Sequence, residues 1–144
     1  MSTEENKALV RRVFEAFNNQ NLAVVEELVA PDYVWHGALP PGISPDLAGW
    51  RQGRIAFLTA FPDLHVVVED LIAEGDKVVA RLTLRGTHQG DFFGIPPTGK
   101  QLSWTGIEID RIEHGKYVES WLNTDDLGMM QQLGVIPQMA QAGG

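Results

Sequence analysis

Asp125 follows a run, residues 116–124, that reads as a strand, and a short helical pattern, residues 127–133, begins just behind it. A carboxylate at such a junction stands at the rim of a sheet. From there it can reach into a cavity and take a proton from carbon next to a carbonyl. The same position also suits a helix N-cap, a job open to Asp125 or Asp126. His88 continues the apolar stripe Val78, Ala80, Leu82, Leu84 and Gly86, and His36 shares parity with Val34. Imidazoles at the ends of inward-facing stripes can donate to a carbonyl oxygen or relay protons near neutral pH. They equally suit hydrogen-bonded positions at the edge of a core. Arg111 either binds a carboxylate or enolate oxygen or runs past the sheet edge into water. The chemistry these residues suggest is acid–base work on an enolisable carbonyl compound. His36, His88 and Asp125 lack the short ligand spacing of a metal site, so no metal is expected. His65, at a strand start, and His114, in a turn, read as structural.

Strand parity tests this set. A two-residue turn at His114 and Gly115 pairs Ile112 with Tyr117 and Ile109 with Ser120. One face then carries Thr105, Ile107, Ile109, Arg111, Val118 and Leu122, and is expected to line the core. The other carries Trp104, Glu108, Asp110, Glu119, Trp121 and Asn123. Trp104, Glu108 and Trp121 on that outer face suggest a subunit interface. Alternation places Asp125 on the outer face too, so it reaches a cavity only through a bulge or a rotation at the strand's end.

The elements that must position these residues are helices first and strands second. Thr3 is the expected cap of a helix carrying Leu9, Val10, Val13, Phe14 and Phe17, and Asn21 caps a second helix to about residue 29. A short extended piece, residues 33–36, leads to a loop at 37–45 stiffened by three prolines. A third helix spans about 46–61, stopped by Pro62. Two hairpins follow, strands 64–73 with 77–88 and 102–113 with 116–124, separated by the Gly/Pro loop 91–100. Helices followed by antiparallel strands make an α+β pattern. GIPPTGK has neither the spacing nor the composition of a phosphate loop.

At 144 residues, 44% hydrophobic and 21% charged, the chain is expected to form a single domain over 1–137 with a flexible tail at 138–144. A net charge of −8 argues against nucleic acid or an anionic membrane as partner. The absence of cysteine excludes disulfides, thiol nucleophiles and thiolate metal sites. Neither a signal-peptide core nor a run of about 20 apolar residues is present, so a cytoplasmic protein is expected.

The runs GTHQGDFFGIPPTGK, GIEIDRIEHGKYVESW and DLGMMQQLGVIP, together with DYVWHG, resemble the SnoaL-like polyketide cyclase family of the NTF2-like superfamily, over nearly the whole chain. The resemblance implies an α+β cone, with N-terminal helices on a curved antiparallel sheet enclosing a pocket, in a homodimer or homotetramer. It also implies ring closure by intramolecular aldol condensation, without metal or cofactor, using an aspartate as acid and base. Matching W-x-x-x-D places that aspartate at Asp125. His88, His36 and Arg111 are then its accessory groups. A pocket for a small apolar carbonyl substrate would be lined by Phe14, Phe17, Trp35, Trp50, Phe57, Phe93, Thr105, Ile107 and Ile109, with Phe92 and Phe93 as a lid. Two rivals remain. One is an epoxide hydrolase or dehydratase on the same scaffold, disfavoured because a single cavity carboxylate is expected. The other is a non-catalytic small-molecule-binding domain.

Overall fold

The computed structural model describes residues 2–37 and 42–137; the tail expected at 138–144 lies outside them. Helix α1, Thr3–Asn18, starts at Ser2 rather than Thr3. Ser2 Oγ accepts from the Glu5 N–H at 3.1 Å, and the Ser2 N–H donates to Glu5 Oε1 at 3.3 Å. This reciprocal box satisfies two otherwise unpaired donors, which is why the helix begins one residue early. Asn21 caps α2, Leu22–Glu27, which stops short of residue 29 because the chain turns there into β1, Val29–His36. Asp46 caps α3, Leu47–Ala60, by accepting from the Gly49 N–H at 3.0 Å.

The remaining strands are β2, His65–Glu74; β3, Lys77–Thr87; β4, Gln101–Glu113; and β5, Lys116–Thr124. A last helix, α4, spans Asp126–Leu133 and ends on Gly134 in the left-handed conformation. The five strands form one sheet in the order β1-β5-β4-β3-β2. It is mixed rather than purely antiparallel, because β1 joins β5 in parallel. His114 and Gly115 both take positive φ, the turn type whose twist matches the flanking strands.

The α+β cone follows from which sheet face is covered. Leu102, Trp104 and Ile112 of β4, with Val78, Ala80 and Leu82 of β3, are buried against Val10, Val13, Phe14 and Phe17 of α1. The edge strand β2 is tied to α1 by one side chain. Asn18 donates to the Val66 carbonyl and accepts from the Val66 N–H, both at 2.8 Å, mimicking a neighbouring strand. Asn18→Ala strands both groups. It is expected to lower stability by about 1–3 kcal/mol, measured as a shift of the urea midpoint at unchanged m-value.

Candidate active site

The face of β4 that enters the cone is the one expected to point outward. Leu102, Trp104, Gly106, Glu108, Asp110 and Ile112 are buried, whereas Ile107 is 52% exposed and Thr105 is exposed. The apolar alternation Ile107, Ile109 was therefore a misleading guide, because two of the interior positions hold acids. On β5 a second effect adds to this. Ile112 pairs with Tyr117 but Asp110 with Ser120, so the register slips at Val118. This bulge turns Tyr117 and Ser120, three residues apart, to the same side. It sends Glu119 and Trp121 outward and, by pairing Leu122 with Glu108, brings Leu122 inward.

Glu108 and Asp110 thus stand side by side inside the cone, with 4% and 0% exposure. Asp110 lies in a row with Trp35, Ser120 and Val78, and Glu108 in a row with Leu122 and Ala80. Ser120 Oγ donates to Asp110 Oδ1 at 2.5 Å, while Asp110 Oδ2 and the Tyr117 hydroxyl have no partner among the described residues. Burial, and then the neighbouring Glu108 charge, push the Asp110 carboxyl well above the usual carboxylate range. Glu108 is also raised by burial, but the charge of Arg54 pulls it back. Two adjacent carboxyls in such a place cannot both ionise. Asp110 is raised the further of the two, so it holds a proton more tightly than Glu108 does.

The surroundings are aromatic and capped by one cation. Tyr33 of β1 is 2% exposed, and its phenol is pushed up by burial and then by Glu108. Arg54 of α3 lies over the rings of Phe17 (4.8 Å) and Trp50 (5.1 Å). Trp35 shares the inner face, and Phe14, Phe17 and Trp50 are buried in the core. Phe57, Phe61, Phe92 and Phe93 make an edge-to-face cluster further along, with Phe93 45% exposed at φ 46°. Two clefts of about 370 and 390 Å³ lie elsewhere. One is formed by Arg11, Asn18 and His65, the other by Asp63, Arg85 and Gln132; neither includes the acids.

The residues singled out from sequence are scattered by the fold. Asp125 is exposed and is the N-cap of α4, accepting from the Gly128 N–H at 2.9 Å. The expectation that it turns into the cone is corrected: its side chain is committed to the first turn of α4. His36 and Arg111 are on the outer sheet face, both bound to Glu119, at 2.6 and 3.0 Å. These two bonds hold the Glu119 carboxyl below its usual range. Thr105, Ile107 and Ile109 share that outer face and do not line the interior. Trp104 and Glu108, expected at an interface, face the core, while Trp121 does lie on the outer side, stacked on His36 at 5.1 Å.

His88 is fully buried, as its stripe implied, but beside Phe61 and the Thr98 N–H, which donates to Nδ1 at 3.2 Å. Eight residues of strand, roughly 26 Å, separate it from Ala80, the partner of Glu108. Asp125 donates its backbone N–H to the Thr105 carbonyl and His88 its own to the carbonyl of Lys100, just before β4 and five positions away, or about 16 Å. Asp125, His88, His36 and Arg111 do not converge.

Glu108, Asp110, Tyr33, Ser120 and Arg54 were not picked out as site residues. The signal available was a pair of acids at i, i+2 between Trp104 and Ile112, since charged residues on a core-facing parity are functional more often than structural.

The fold is an α+β cone with two carboxyl groups buried inside it and a half-buried cation beside them, groups whose types suit proton transfer. Residues 7–133 match the model of the SnoaL-like polyketide cyclases, and the chain belongs to that family. It is 34% identical over 139 residues to the aklanonic acid methyl ester cyclase DnrD of Streptomyces peucetius, covering 93% of this chain and 92% of that one. It is 29% identical to the nogalonic acid methyl ester cyclase of Streptomyces nogalater, over 83% and 90%. Among solved structures, AclR of Streptomyces galilaeus, provisionally described as a hydroxylase, superposes with a TM-score of 0.87 at 33% identity, covering 97% of this chain and 87% of that one. IdmH of Streptomyces antibioticus, provisionally a polyketide cyclase, gives 0.78 at 36%, over 90% and 98%. Among the described residues, no helix is long and apolar enough to cross a membrane.

A carboxyl whose folded pKa is raised contributes stability that is complete below its unfolded value, near 4, and is lost as pH rises toward the folded value. Asp110→Asn removes that loss, whereas the depressed acids Glu5, Asp46, Asp63 and Glu119 are common to both proteins and cancel in the comparison. Between pH 5 and pH 8 the variant is therefore expected to lose less stability than the parent. The difference is about 1.4 kcal/mol for each unit by which burial raises Asp110 within that window, read by denaturant titration at both pH values.

Proposed function

We propose that this chain is a cofactor-independent cyclase closing a ring in a polyketide-like carbonyl compound, with Glu108 as its base. The observation that carries this reading is the buried Glu108–Asp110 pair facing the inside of the cone. Relatives are named as methyl ester cyclases acting on aklanonic and nogalonic acid methyl esters, so an enolisable ester of that general kind is the substrate class.

In the proposed step the Glu108 carboxylate takes a proton from carbon between or beside carbonyl groups. The resulting enolate carbon attacks a second carbonyl of the same molecule, forming the C–C bond while that carbonyl's π electrons move onto its oxygen. The alkoxide then takes a proton from Glu108, which returns to its starting state. Burial makes Glu108 a stronger base than an exposed glutamate, with the Arg54 charge moderating the rise, and Ser120 holds the neighbouring Asp110 in place. A base so placed contributes about 10²–10⁴-fold in rate. The role expected of Asp125 passes to Glu108 in this reading, and Asp125 keeps the cap.

Glu108→Gln is expected to reduce kcat at least about 10²-fold on a methyl ester of this class, with folding retained. Asp125→Asn is expected to leave kcat within about twofold, because an asparagine cap is nearly equivalent. Full activity in Glu108→Gln, or its loss in Asp125→Asn without loss of stability, returns the assignment to Asp125.

We also propose a homodimer through the outer sheet face. Trp121, Ile109, Val79 and Ile72 pair successively across β5, β4, β3 and β2, and Ile72 is 65% exposed, a continuous apolar row open to solvent. Ile109→Arg is expected to convert the dimer to monomer in sedimentation velocity.

A further inference from the structure

His88 is a buried histidine that the proposed chemistry leaves unused. Its side chain is fully enclosed, yet Nε2 has no partner among the described residues. Its polar contacts are all on Nδ1 and all come from Thr98, the backbone N–H at 3.2 Å and the hydroxyl at 3.0 Å. A backbone N–H can only donate, so Nδ1 is the acceptor and the ring proton sits on Nε2. The Thr98 hydroxyl in turn accepts from the Lys100 N–H at 3.3 Å. A buried donor without a partner is unfavourable, and an apolar ring would pack against Phe61 without that penalty. What the position supplies is the acceptor nitrogen.

Thr98 belongs to the loop 89–99, which is bonded to the rest of the protein at its neck. Gln89 and Gly90 both donate to the Ala60 carbonyl, at 2.9 and 3.1 Å, and His88 exchanges backbone bonds with Lys100 and Gly99 at 2.9 and 2.8 Å. Further out the bonds are internal. Asp91 Oδ2 accepts from the Gly94 N–H at 3.0 Å, and Phe92 and Ile95 exchange backbone bonds of 3.0 and 2.9 Å. A glycine stands at each end: a Cβ at Gly90 would collide with the Thr59 carbonyl oxygen, and Gly99 has φ 72°. The buried ring of the loop, Phe92, meets Phe57 at 5.3 Å and Phe61 at 5.5 Å, and Phe61 meets Trp104 at 5.4 Å. From Trp104 the inner face of β4 leads to Glu108, four residues or about 13 Å further on.

Glu108 and Asp110 are almost wholly enclosed, and neither described cleft reaches them. A molecule that meets them must displace part of the enclosure. Moving α1 would open the core itself, since Val10, Val13, Phe14 and Phe17 are built into it. The loop, bonded within itself and joined at a narrow neck, can swing out as a unit once Phe92 and the Thr98 contacts let go. We infer that residues 89–99 are a hinged gate to the interior and that His88 is its latch, a positioning residue whose Nδ1 holds the gate shut through Thr98. The cyclase reading supplies what passes through the gate; the gate itself stands on the geometry.

The chain has no cysteine, so Ala80→Cys, at a buried position paired with Glu108, installs a single thiol beside the acids. Its rate of alkylation by iodoacetamide measures access to the interior. In that background His88→Phe keeps a ring against Phe61 but loses the acceptor, whereas His88→Asn keeps an acceptor oxygen close to where Nδ1 stands. His88→Phe is expected to raise the alkylation rate and the deuterium exchange of amides 89–99 at least about tenfold, with exchange in α1 unchanged. His88→Asn is expected to stay within about threefold of the parent on both readouts. Asn18→Ala, which loosens the α1 contact instead, is the control for general loss of stability. An equal rise in Asn18→Ala, an equal rise in His88→Asn, or faster exchange in the loop without faster alkylation overturns the inference. Alkylation needs no turnover, so the outcome is separable from the catalytic one. If Glu108→Gln turns over normally while alkylation still depends on His88, the cyclase base is misassigned and the gate stands.

Discussion

Holding two carboxyl groups in an apolar interior is the constraint around which this molecule is arranged. Enclosing even one ionised acid away from water is severely unfavourable unless it is paired, bonded or neutralised. All three remedies are present. Asp110, whose carboxyl is pushed toward its neutral form, receives the Ser120 hydroxyl, and Glu108 stands in the field of Arg54. Ala80 opposite Glu108 and Val78 opposite Asp110 keep the adjacent strand small enough to accommodate the acids. The bulge at Val118 is part of the same solution. Without it Ser120 would face outward and Glu119 would turn in as a third acid.

The two faces of the sheet handle charge in opposite ways. Inside, a few groups perturb one another strongly because little water screens them. Outside, Glu119 bridges His36 and Arg111, and Arg111 reaches on to Glu113, in a chain open to solvent. Pairs of that kind contribute little to stability. They do fix the direction of long side chains beside Trp121, on whose ring His36 stacks.

The elements were largely legible in the sequence, because helix caps, Gly turns and apolar periods act locally. Asn21 and Gly115 do in the fold what their residue types suggest, and the shift from Thr3 to Ser2 is a single position. The parallel pairing of β1 with β5 was not legible, since nothing in residues 33–36 specifies a partner far along the chain. The faces of the sheet were misread for a more instructive reason. Parity was judged by hydrophobicity, and β4 reverses that signal, placing acids where the core should be and isoleucines where water is. On β5 one extra residue, Val118, changed the face of everything from Glu119 onward, and no residue type in the run marks it. Asp125 was legible as a cap, the reading that needs only neighbouring backbone.

The parallel union of β1 with β5 also sets an order of events. Val34 and Glu119 meet although some 85 residues separate them, whereas β2 to β5 form successive hairpins whose partners lie close in sequence. Loop-closure entropy makes the long-range pairing the slower one. Tyr33 and Trp35 reach the acids only when it forms. The enclosure of Glu108 and Asp110 on that side therefore depends on a contact between segments far apart in the chain.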